Sequence, residues 1–408
     1  MKFSKTVVLL SMLLSNTVYA LPQDYELTQV LIISRHGLRA PLTDGSEMLK
    51  NATPYHWPRW STDAGLLTTK GGALEVFMGG YFKEWFVNTG LVNKNECANH
   101  SLLVYTNTMP RTIATGQFFM DGAFPGCRVS IQTLDDGKSN DPLFYQSIKN
   151  NTTEFMLKNK ASILKYVNSL NLEQSYSRLE EIIDYKQSPS CKGMTDCRLS
   201  ANKNIVHLDY GKEPSISGPL HKSFLMVDAF ILQNYEGLPN KDVAWGRIKD
   251  EKEWRSLAKL RNGYIEAAYL QPLVAKNIIA PLMKKVDNIL SDEMEDGNKK
   301  IYVIVGHDTT IGPLLTALGV NNYELPGQYE KTPIGGKIVF QRWKDKASGR
   351  YYLKTEYIYQ TTKQMRDLTP LSLQNPPEHV LLSFNGCIVN DDGLCSWNDF
   401  RKLIDNSN

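Results

Sequence analysis

Residues 34–39 contain side chains that could bind and transfer a phosphoryl group. Arg35 and Arg39 carry planar guanidinium groups whose parallel donors match phosphate oxygens. His36 lies between them, and a neutral imidazole can attack phosphorus and hold the phosphoryl group covalently. Gly37 has no side chain and would let the backbone approach a ligand closely. These residues predict phosphoryl transfer by positioning and charge stabilisation, with no metal ion or cofactor.

Residues 306–308 supply a further hydrogen-bond donor and an acid. His307 can donate to a phosphate oxygen, and Asp308 can protonate a departing alcohol. We expect a bound phosphate to raise the pKa of Asp308 above its ordinary value of about 3.9, because like charges disfavour ionisation. Taken alone, the first segment also fits a solvated loop and the second a helix start capped by Asp308. The prediction therefore depends on both segments lying at one place.

Buried strands are the elements that would bring the two segments together. Each segment follows a short continuous apolar run, at 30–33 and 301–305, that is typical of a central strand covered on both faces. Ligand sites of open α/β sheets lie outside the carboxyl ends of such strands. The same part of the chain contains two helical patterns and two further strand patterns, at 71–86, 110–120, 337–343 and 351–359.

The middle of the chain has a different character, since it shows no convincing buried strand. We therefore predict an α/β fold with a twisted, mostly parallel central sheet flanked by helices, formed by residues 21–134 and 260–408. A smaller helical cap domain is predicted at 135–259. Its helical spacing is clearest at 159–170, 176–186 and 219–235.

The first twenty residues predict a cleavable export signal. Lys2 and Lys5 flank the start of an apolar segment at 6–14, and a small-x-small cleavage site follows at 18–20. Nine apolar residues are too few for a membrane core that needs about 20, so we expect a soluble mature chain without a membrane anchor. The 46 Lys and Arg residues nearly balance the 43 Asp and Glu residues. This balance excludes a polybasic surface for nucleic acid.

Six cysteines in an exported chain favour disulfides over a metal site, since no C-x-x-C motif occurs and no histidine lies at ligand spacing. Six cysteines allow 15 pairings on paper. Short spacing within polar segments favours two local bonds, which leaves the first two cysteines as a third pair. The pairs would be Cys191 with Cys197, Cys387 with Cys395, and Cys97 with Cys127.

The segment from Arg35 to Pro41 resembles the R-H-G-x-R-x-P signature of the histidine acid phosphatases. His307 and Asp308 resemble the distal H-D pair of that family. The likeness runs along essentially the whole mature chain and is strongest with the bacterial periplasmic glucose-1-phosphatase branch. Further segments that carry it are 67–72, 122–127 and 332–337.

This resemblance implies roles for the candidate residues. His36 would be phosphorylated, and Asp308 would be the proton donor. Arg35, Arg39 and His307 would hold the phosphate together with Arg111, which matches an N-x-x-x-R-T helix start of the family. The resemblance also implies a phosphoglycerate mutase-like α/β fold with a helical cap, a periplasmic location, the same three disulfides and no cofactor. The expected partner is a small-molecule phosphate ester.

The preferred ester is less sharply indicated than the chemistry. Glu213 resembles an acidic cap residue of the glucose-1-phosphatase branch, and a carboxylate there would repel a polyphosphorylated inositol. Glu213 also fits a residue that merely precedes a proline at a helix entry. Gly37 stands where that branch commonly has Asn, and residues 307–310 are one residue away from the H-D-T-N that is common in phytases. We expect a preference for glucose 1-phosphate, with some activity on phytate.

Phytase or broad acid phosphatase activity is the alternative among enzymes. A periplasmic protein that binds phosphate esters without hydrolysing them is the alternative outside enzymes, and a phosphomutase is a third. Asp308 separates the first two classes, because a neighbouring carboxylate hinders pure anion binding whereas protonation of a leaving group needs an acid.

Overall fold

The two ends of the chain alternate strands and helices, and the region between them is mostly helical. The structure is a computed structural model that describes residues 24–98, 100–134, 141–291 and 300–405, so the predicted export signal at 1–20 lies outside the described residues. The strands are β1 (Tyr25–Arg35), β2 (Leu102–Thr106), β3 (Ile131–Gln132), β4 (Ile205–His207), β5 (Ser215–Ser217), β6 (Ile301–Gly306), β7 (Lys337–Asp345), β8 (Tyr351–Tyr359), β9 (Glu378–Leu381) and β10 (Cys395–Ser396). The helices are α1 (Glu47–Asn51), α2 (Thr69–Asn88), α3 (Pro110–Ala123), α4 (Thr153–Ser169), α5 (Glu173–Ile182), α6 (Pro219–Glu236), α7 (Glu251–Tyr269), α8 (Pro272–Leu290), α9 (Asp308–Ala317), α10 (Thr362–Arg366) and α11 (Trp397–Asp405).

The strands that precede the two polar segments are neighbours at the centre of the sheet. β1 and β6 pair in parallel, with Arg35 opposite Gly306 at their carboxyl ends. Alternate side chains of β1 enter different cores: Leu31 packs with α8 and α9, whereas Val30 packs with α2 and α3. Because both faces are covered, the strand reads as a continuous apolar run. The prediction of two buried strands that end at one edge is confirmed.

The sheet around these strands is mixed. Its order is β10-β8-β7-β1-β6-β2-β3, with β9 beside β8. The strands β1, β6, β2 and β3 are parallel, and antiparallel strands extend the sheet on the other side of β1. The predicted α/β fold with flanking helices is confirmed. The strand β2 was not predicted, because its short apolar run cannot be separated from a buried helix segment by periodicity.

Helices α4 to α7 form a layer that reaches the end of β1. Their apolar side chains, among them Ile163, Leu179 and Phe230, belong to one cluster that also contains Leu38 from the loop after β1. A small hairpin, β4 with β5, lies beside these helices and was not expected. The loop that carries the first polar segment is thus held between the sheet and the helical layer. The predicted helices of this layer correspond to α4, α5 and α6; the ends of α4 and α5 differ by up to six residues, and those of α6 by one at most.

Disulfides connect all six cysteines. The bonds join Cys97 to Cys127, Cys191 to Cys197, and Cys387 to Cys395, so the predicted pairing is confirmed. The first bond encloses β2 and α3, and Arg111 is the second residue of α3. In the described parts of the chain, no helix is both long and apolar enough to cross a membrane.

Candidate active site

The polar segments at the ends of β1 and β6 meet at the carboxyl edge of the sheet. The His36 N–H donates to the Gly306 carbonyl at 2.9 Å, and the rings of His36 and His307 have centroids 5.5 Å apart. The next parallel strand, β2, delivers Asn107 to the same edge, where its N–H donates to the Val305 carbonyl at 3.0 Å. Three adjacent parallel strands therefore end around one site.

His36 is buried and is oriented by its own loop. Its Nδ1 lies 2.9 Å from the Gly37 carbonyl oxygen. Because a carbonyl oxygen can only accept, Nδ1 must carry the ring proton, and Nε2 keeps the free lone pair that a nucleophile needs. Burial and the positive charges of Arg111, Arg35 and Arg39 hold the pKa of His36 well below its usual range. The ring is therefore neutral at any pH near neutrality.

A buried ion pair supports the loop that carries His36. Lys337 Nζ lies 2.9 Å from Glu75 Oε2. A side chain at Gly37 would meet Glu75 Cγ at 3.1 Å, so the glycine makes room for this pair. Gly335 lies on the other side of the pair with a φ of +66°, and its N–H donates to the His36 carbonyl at 3.0 Å. The loop is thus fixed from both sides.

The three arginines named by the sequence analysis surround the site. Arg35 Nη1 contacts Glu330 Oε1 at 2.6 Å, and Arg39 Nη2 contacts Asp228 Oδ2 at 3.2 Å. Arg111 forms no ion pair with any carboxylate of the described residues. Burial lowers the pKa of Arg111 to about 10, which leaves it a cation at neutral pH. An anion can therefore bind Arg111 without displacing a protein carboxylate.

Asn107 determines which nitrogen of His307 faces the site. The Asn107 Oδ1 accepts the Thr108 N–H at 2.8 Å, so the Nδ2 of the same amide must be the donor that lies 2.7 Å from His307 Nε2. His307 is neutral, because burial and the charge of Arg111 lower its pKa to about 3. Its proton is therefore on Nδ1, which lies 3.5 Å from Arg111 Nη2. The two donors lie side by side and can share one acceptor, such as a phosphate oxygen.

Asp308 is the first residue of α9, and its side chain is 15% exposed. Its Oδ2 lies 2.8 Å from Arg261 Nη2 and 3.4 Å from Arg35 Nη2, while Oδ1 accepts the Thr309 N–H at 3.0 Å. Burial alone would raise the pKa of Asp308, but the charges of Arg35 and Arg261 together outweigh it and hold that pKa well below its usual range. We predicted a raised pKa from a bound phosphate; the protein's own groups shift it in the opposite direction.

Three charged residues of the site were missed by the sequence analysis. Arg261 is fully buried on α7 and contacts Glu330 Oε1 at 2.6 Å, Asp308 Oδ2 at 2.8 Å and Asp228 Oδ1 at 3.5 Å. A signal existed for two of them, since Arg261 lies on the apolar face of a helix and Asp228 interrupts a long apolar run in α6. Glu330 lies in a loop with no comparable pattern.

Glu213 precedes β5, in the hairpin beside the helical layer. Its residue is solvent-exposed, its carboxylate accepts the Gln146 N–H, and partial burial of the carboxyl raises its pKa. Burial raises the pKa of Tyr264 to about 12, and the negative charges of Glu213 and Asp308 both add to that shift. Both carboxylates therefore act electrostatically on the same tyrosine of α7. Among the described residues, no cluster of His, Cys, Asp or Glu is suited to hold a metal ion.

This sheet edge, with arginine, histidine and aspartate side chains around one neutral imidazole, defines an enzyme of the phosphoryl-transfer class. The chain matches the family model of the histidine phosphatase superfamily (branch 2) over residues 26–358. It belongs to that family and is a histidine acid phosphatase, as the resemblance of its signature motifs implies.

Similar proteins cover nearly the whole chain. A glucose-1-phosphatase of Salmonella typhimurium is 42% identical over 397 residues, which are 97% of this chain and 96% of that protein. A glucose-1-phosphatase of Providencia rettgeri is 42% identical and covers 93% of this chain and 92% of its own. The solved structure of the phytase from Citrobacter braakii has a TM-score of 0.86 at 33% identity, covering 93% of this chain and 97% of that chain.

Proposed function

We propose that this histidine acid phosphatase hydrolyses sugar phosphates, glucose 1-phosphate above all, through a covalent phosphohistidine at His36. Arg35, Arg39, Arg111 and His307 bind the phosphoryl oxygens, where their charges and hydrogen bonds stabilise the transition state. The free Nε2 of His36 forms the nitrogen–phosphorus bond while the bond from phosphorus to the alcohol oxygen breaks. Asp308 gives its proton to that oxygen.

The second half of the reaction regenerates the enzyme. The Asp308 carboxylate takes a proton from a water molecule, whose oxygen attacks phosphorus on the side opposite His36. The nitrogen–phosphorus bond then breaks, its electron pair returns to Nε2, and phosphate leaves. The observation that carries this proposal is the orientation of His36, whose Nδ1 is fixed on the Gly37 carbonyl so that Nε2 is free.

Replacing the nucleophile tests this chemistry. We expect His36→Ala to lower kcat for p-nitrophenyl phosphate by about 1,000-fold or more, as the loss of a nucleophile does in covalent enzymes. His207→Ala, which removes an exposed histidine of β4, is the matched control and should keep full activity. Turnover by His36→Ala within tenfold of the unsubstituted enzyme would rule out the covalent route.

The substrate preference rests on Glu213 and on the two similar glucose-1-phosphatases. A carboxylate beside the site repels an ester that carries several phosphates, but it tolerates a neutral hexose with one phosphate. We expect Glu213→Ala to raise kcat/KM for phytate relative to glucose 1-phosphate by about tenfold, which corresponds to loss of one charge repulsion. Glu154→Ala, at an exposed position of α4, should leave the ratio unchanged. An unchanged ratio in Glu213→Ala would remove that residue from substrate choice.

Phytase activity is the second candidate, favoured by the close fit to a solved phytase. A wild-type kcat/KM that is higher for phytate than for glucose 1-phosphate would select it.

We also propose that residues 1–20 direct export to the periplasm and that residues 135–259 act as a cap over the site. Fractionation of cell extracts tests the location.

A further inference from the structure

The charged side chains around the site form one buried cluster in which positive and negative charges differ in number. Four guanidinium groups stand against three carboxylates, and both histidines are neutral. The arginines are Arg35, Arg39, Arg111 and Arg261, and the carboxylates are Asp228, Asp308 and Glu330. A single excess positive charge balances a phosphate monoanion, whereas a dianion leaves the cluster one negative charge in excess. Such an excess in a buried site is unfavourable unless one group takes up a proton.

Asp308 is the carboxylate that can take up this proton. Glu330 is nearly inaccessible, because Arg35, Arg261 and the Tyr235 hydroxyl all donate to it, with side-chain exposure of 1%. Asp228 is held between two arginines. Asp308 is more exposed than either, and one of its two guanidinium partners, Arg35, is also a candidate phosphate ligand.

Arg261 is the second partner, and it comes from outside the signature motifs. Its Nη2 lies closer to Asp308 Oδ2, at 2.8 Å, than the Nη2 of Arg35 does, at 3.4 Å. When a phosphoryl group binds Arg35, Arg261 remains as the cation that holds the carboxylate in place. The other charged or titratable groups that act on Asp308 are His307 beside it, Arg39 after β1, Arg111 on α3, Tyr264 and Tyr269 on α7, and Tyr357 on β8.

We propose that Arg261 is a positioning residue that keeps Asp308 ionised in the free enzyme, and that binding of a tetrahedral dianion draws one proton from solvent onto Asp308. The inference rests on the proposed function, because this proton is the one transferred to the alcohol oxygen. The carboxylate left after that transfer is again held by Arg261 and accepts the proton of the attacking water. Asp308 is then protonated beside the bound phosphate dianion, and it releases this proton to solvent when phosphate leaves. Each turnover thus returns Asp308 to its ionised starting state with no net change of protons on the enzyme.

Sulfate is a suitable probe because it is a tetrahedral dianion that carries no exchangeable proton across the working range. Calorimetric titration with sulfate, in buffers of different ionisation enthalpy between pH 4 and pH 8, measures the protons taken up on binding. By linkage, uptake occurs between the pKa of Asp308 in the free enzyme and its pKa in the complex. We expect about one proton per site at pH 5 in the wild type and about none in Asp308→Asn.

Substitutions of Arg261 test its part in the coupling. Arg261→Gln removes one positive charge and should raise the pKa of Asp308 in the free enzyme and in the complex by about one unit. The pH range of proton uptake, which lies between these two pKa values, and the alkaline limb of kcat should both move upward by the same amount. Arg261→Lys keeps the charge and should keep the window nearly in place, and it remains informative if the glutamine variant does not fold. Arg178→Met, which removes an ion pair to Glu253 at the start of the same helix, should change neither.

The outcomes separate this proposal from the proposed function. Sulfate binding without proton uptake, uptake that persists in Asp308→Asn, or a window that Arg261→Gln does not move would overturn the coupling. If instead His36→Ala keeps its turnover, the phosphohistidine route itself fails. Arg261 then has no reaction to support, whatever the calorimetry shows.

Discussion

At the scale of single residues, Asn107 controls His307 by leaving Nε2 as an acceptor and Nδ1 as a donor. Leucine has nearly the same shape but cannot donate to Nε2. We expect Asn107→Leu to raise the inhibition constant of inorganic phosphate by about tenfold, which is the usual effect of one lost hydrogen bond in a buried site. Asn159→Leu, which removes a buried amide in α4, is the control: it should lower stability and leave the inhibition constant unchanged. Equal inhibition constants in the two variants would show that Asn107 does not orient the ring.

The site residues that could be predicted from the sequence are those whose neighbours in the same short segment already indicate a function. Arginine, histidine and aspartate beside a glycine at a strand end indicate anion chemistry without knowledge of the rest of the chain. Arg261 and Asp228 could not be assigned in this way. The sequence shows a charge on an apolar helix face, but its meaning depends on the partner, and that partner comes from a distant element.

At the scale of elements, the loop from β1 depends on the turn before β7, where Gly335 holds the His36 carbonyl. A side chain at Gly335 would require a left-handed backbone and would meet Glu75 Oε1 at 2.9 Å. We expect Gly335→Ala to cost about 2–3 kcal/mol in free energy of unfolding, through strain and through displacement of the buried pair. It should also lower kcat, because His36 loses its anchor. Urea denaturation and activity assays measure both effects.

Gly349→Ala is the matched control for this substitution. Gly349 has a φ of +70° in the β7–β8 turn, with open space beside it. Gly349→Ala should therefore lose only about 1 kcal/mol in free energy of unfolding, from backbone strain alone, and its kcat should be unchanged. Equal losses of stability in the two variants would mean that the contact with Glu75 has no effect.

A helix or strand could be predicted where the apolar pattern of its own segment is sufficient to identify it. β1 and β6 are continuous apolar runs, and α2 and α3 show clear helical spacing, so their existence follows from the sequence. The strand β2 is the counterexample. Its five residues form a central strand only because β6 and β3 hydrogen-bond to it from either side. That information lies elsewhere in the chain.

At the scale of the whole molecule, stability in acid depends in part on a carboxylate of β8 that is not one of the candidate site residues. Burial of Glu356 opposes ionisation, but the hydrogen bond to His379 and the charge of Lys354 outweigh it and lower the pKa of Glu356 from 4.5 to about 2. A depressed pKa stabilises the folded state above pH 4.5, and this contribution disappears as the pH falls toward 2. We expect it to amount to about 3 kcal/mol at pH 6.

Comparison of Glu356→Gln with the wild type isolates this contribution. The variant should be less stable at pH 6, and the two stability curves should converge between pH 4.5 and pH 2. Glu378→Gln, on the exposed neighbouring strand β9, should follow the wild type throughout. Parallel curves for Glu356→Gln would contradict the assignment.

The pairing of β1 has a consequence for the life of a newly made chain. Val30 lies opposite Ile301 and Gln341, so the strand that leads into the loop of His36, the proposed nucleophile, finds its neighbours only near the end of translation. Such distant contacts form late, after the intervening chain has been arranged. A polypeptide that is still bound to the ribosome therefore contains His36 without the rest of the site. We expect no hydrolysis of phosphate esters by the chain until its last third has folded against its first third.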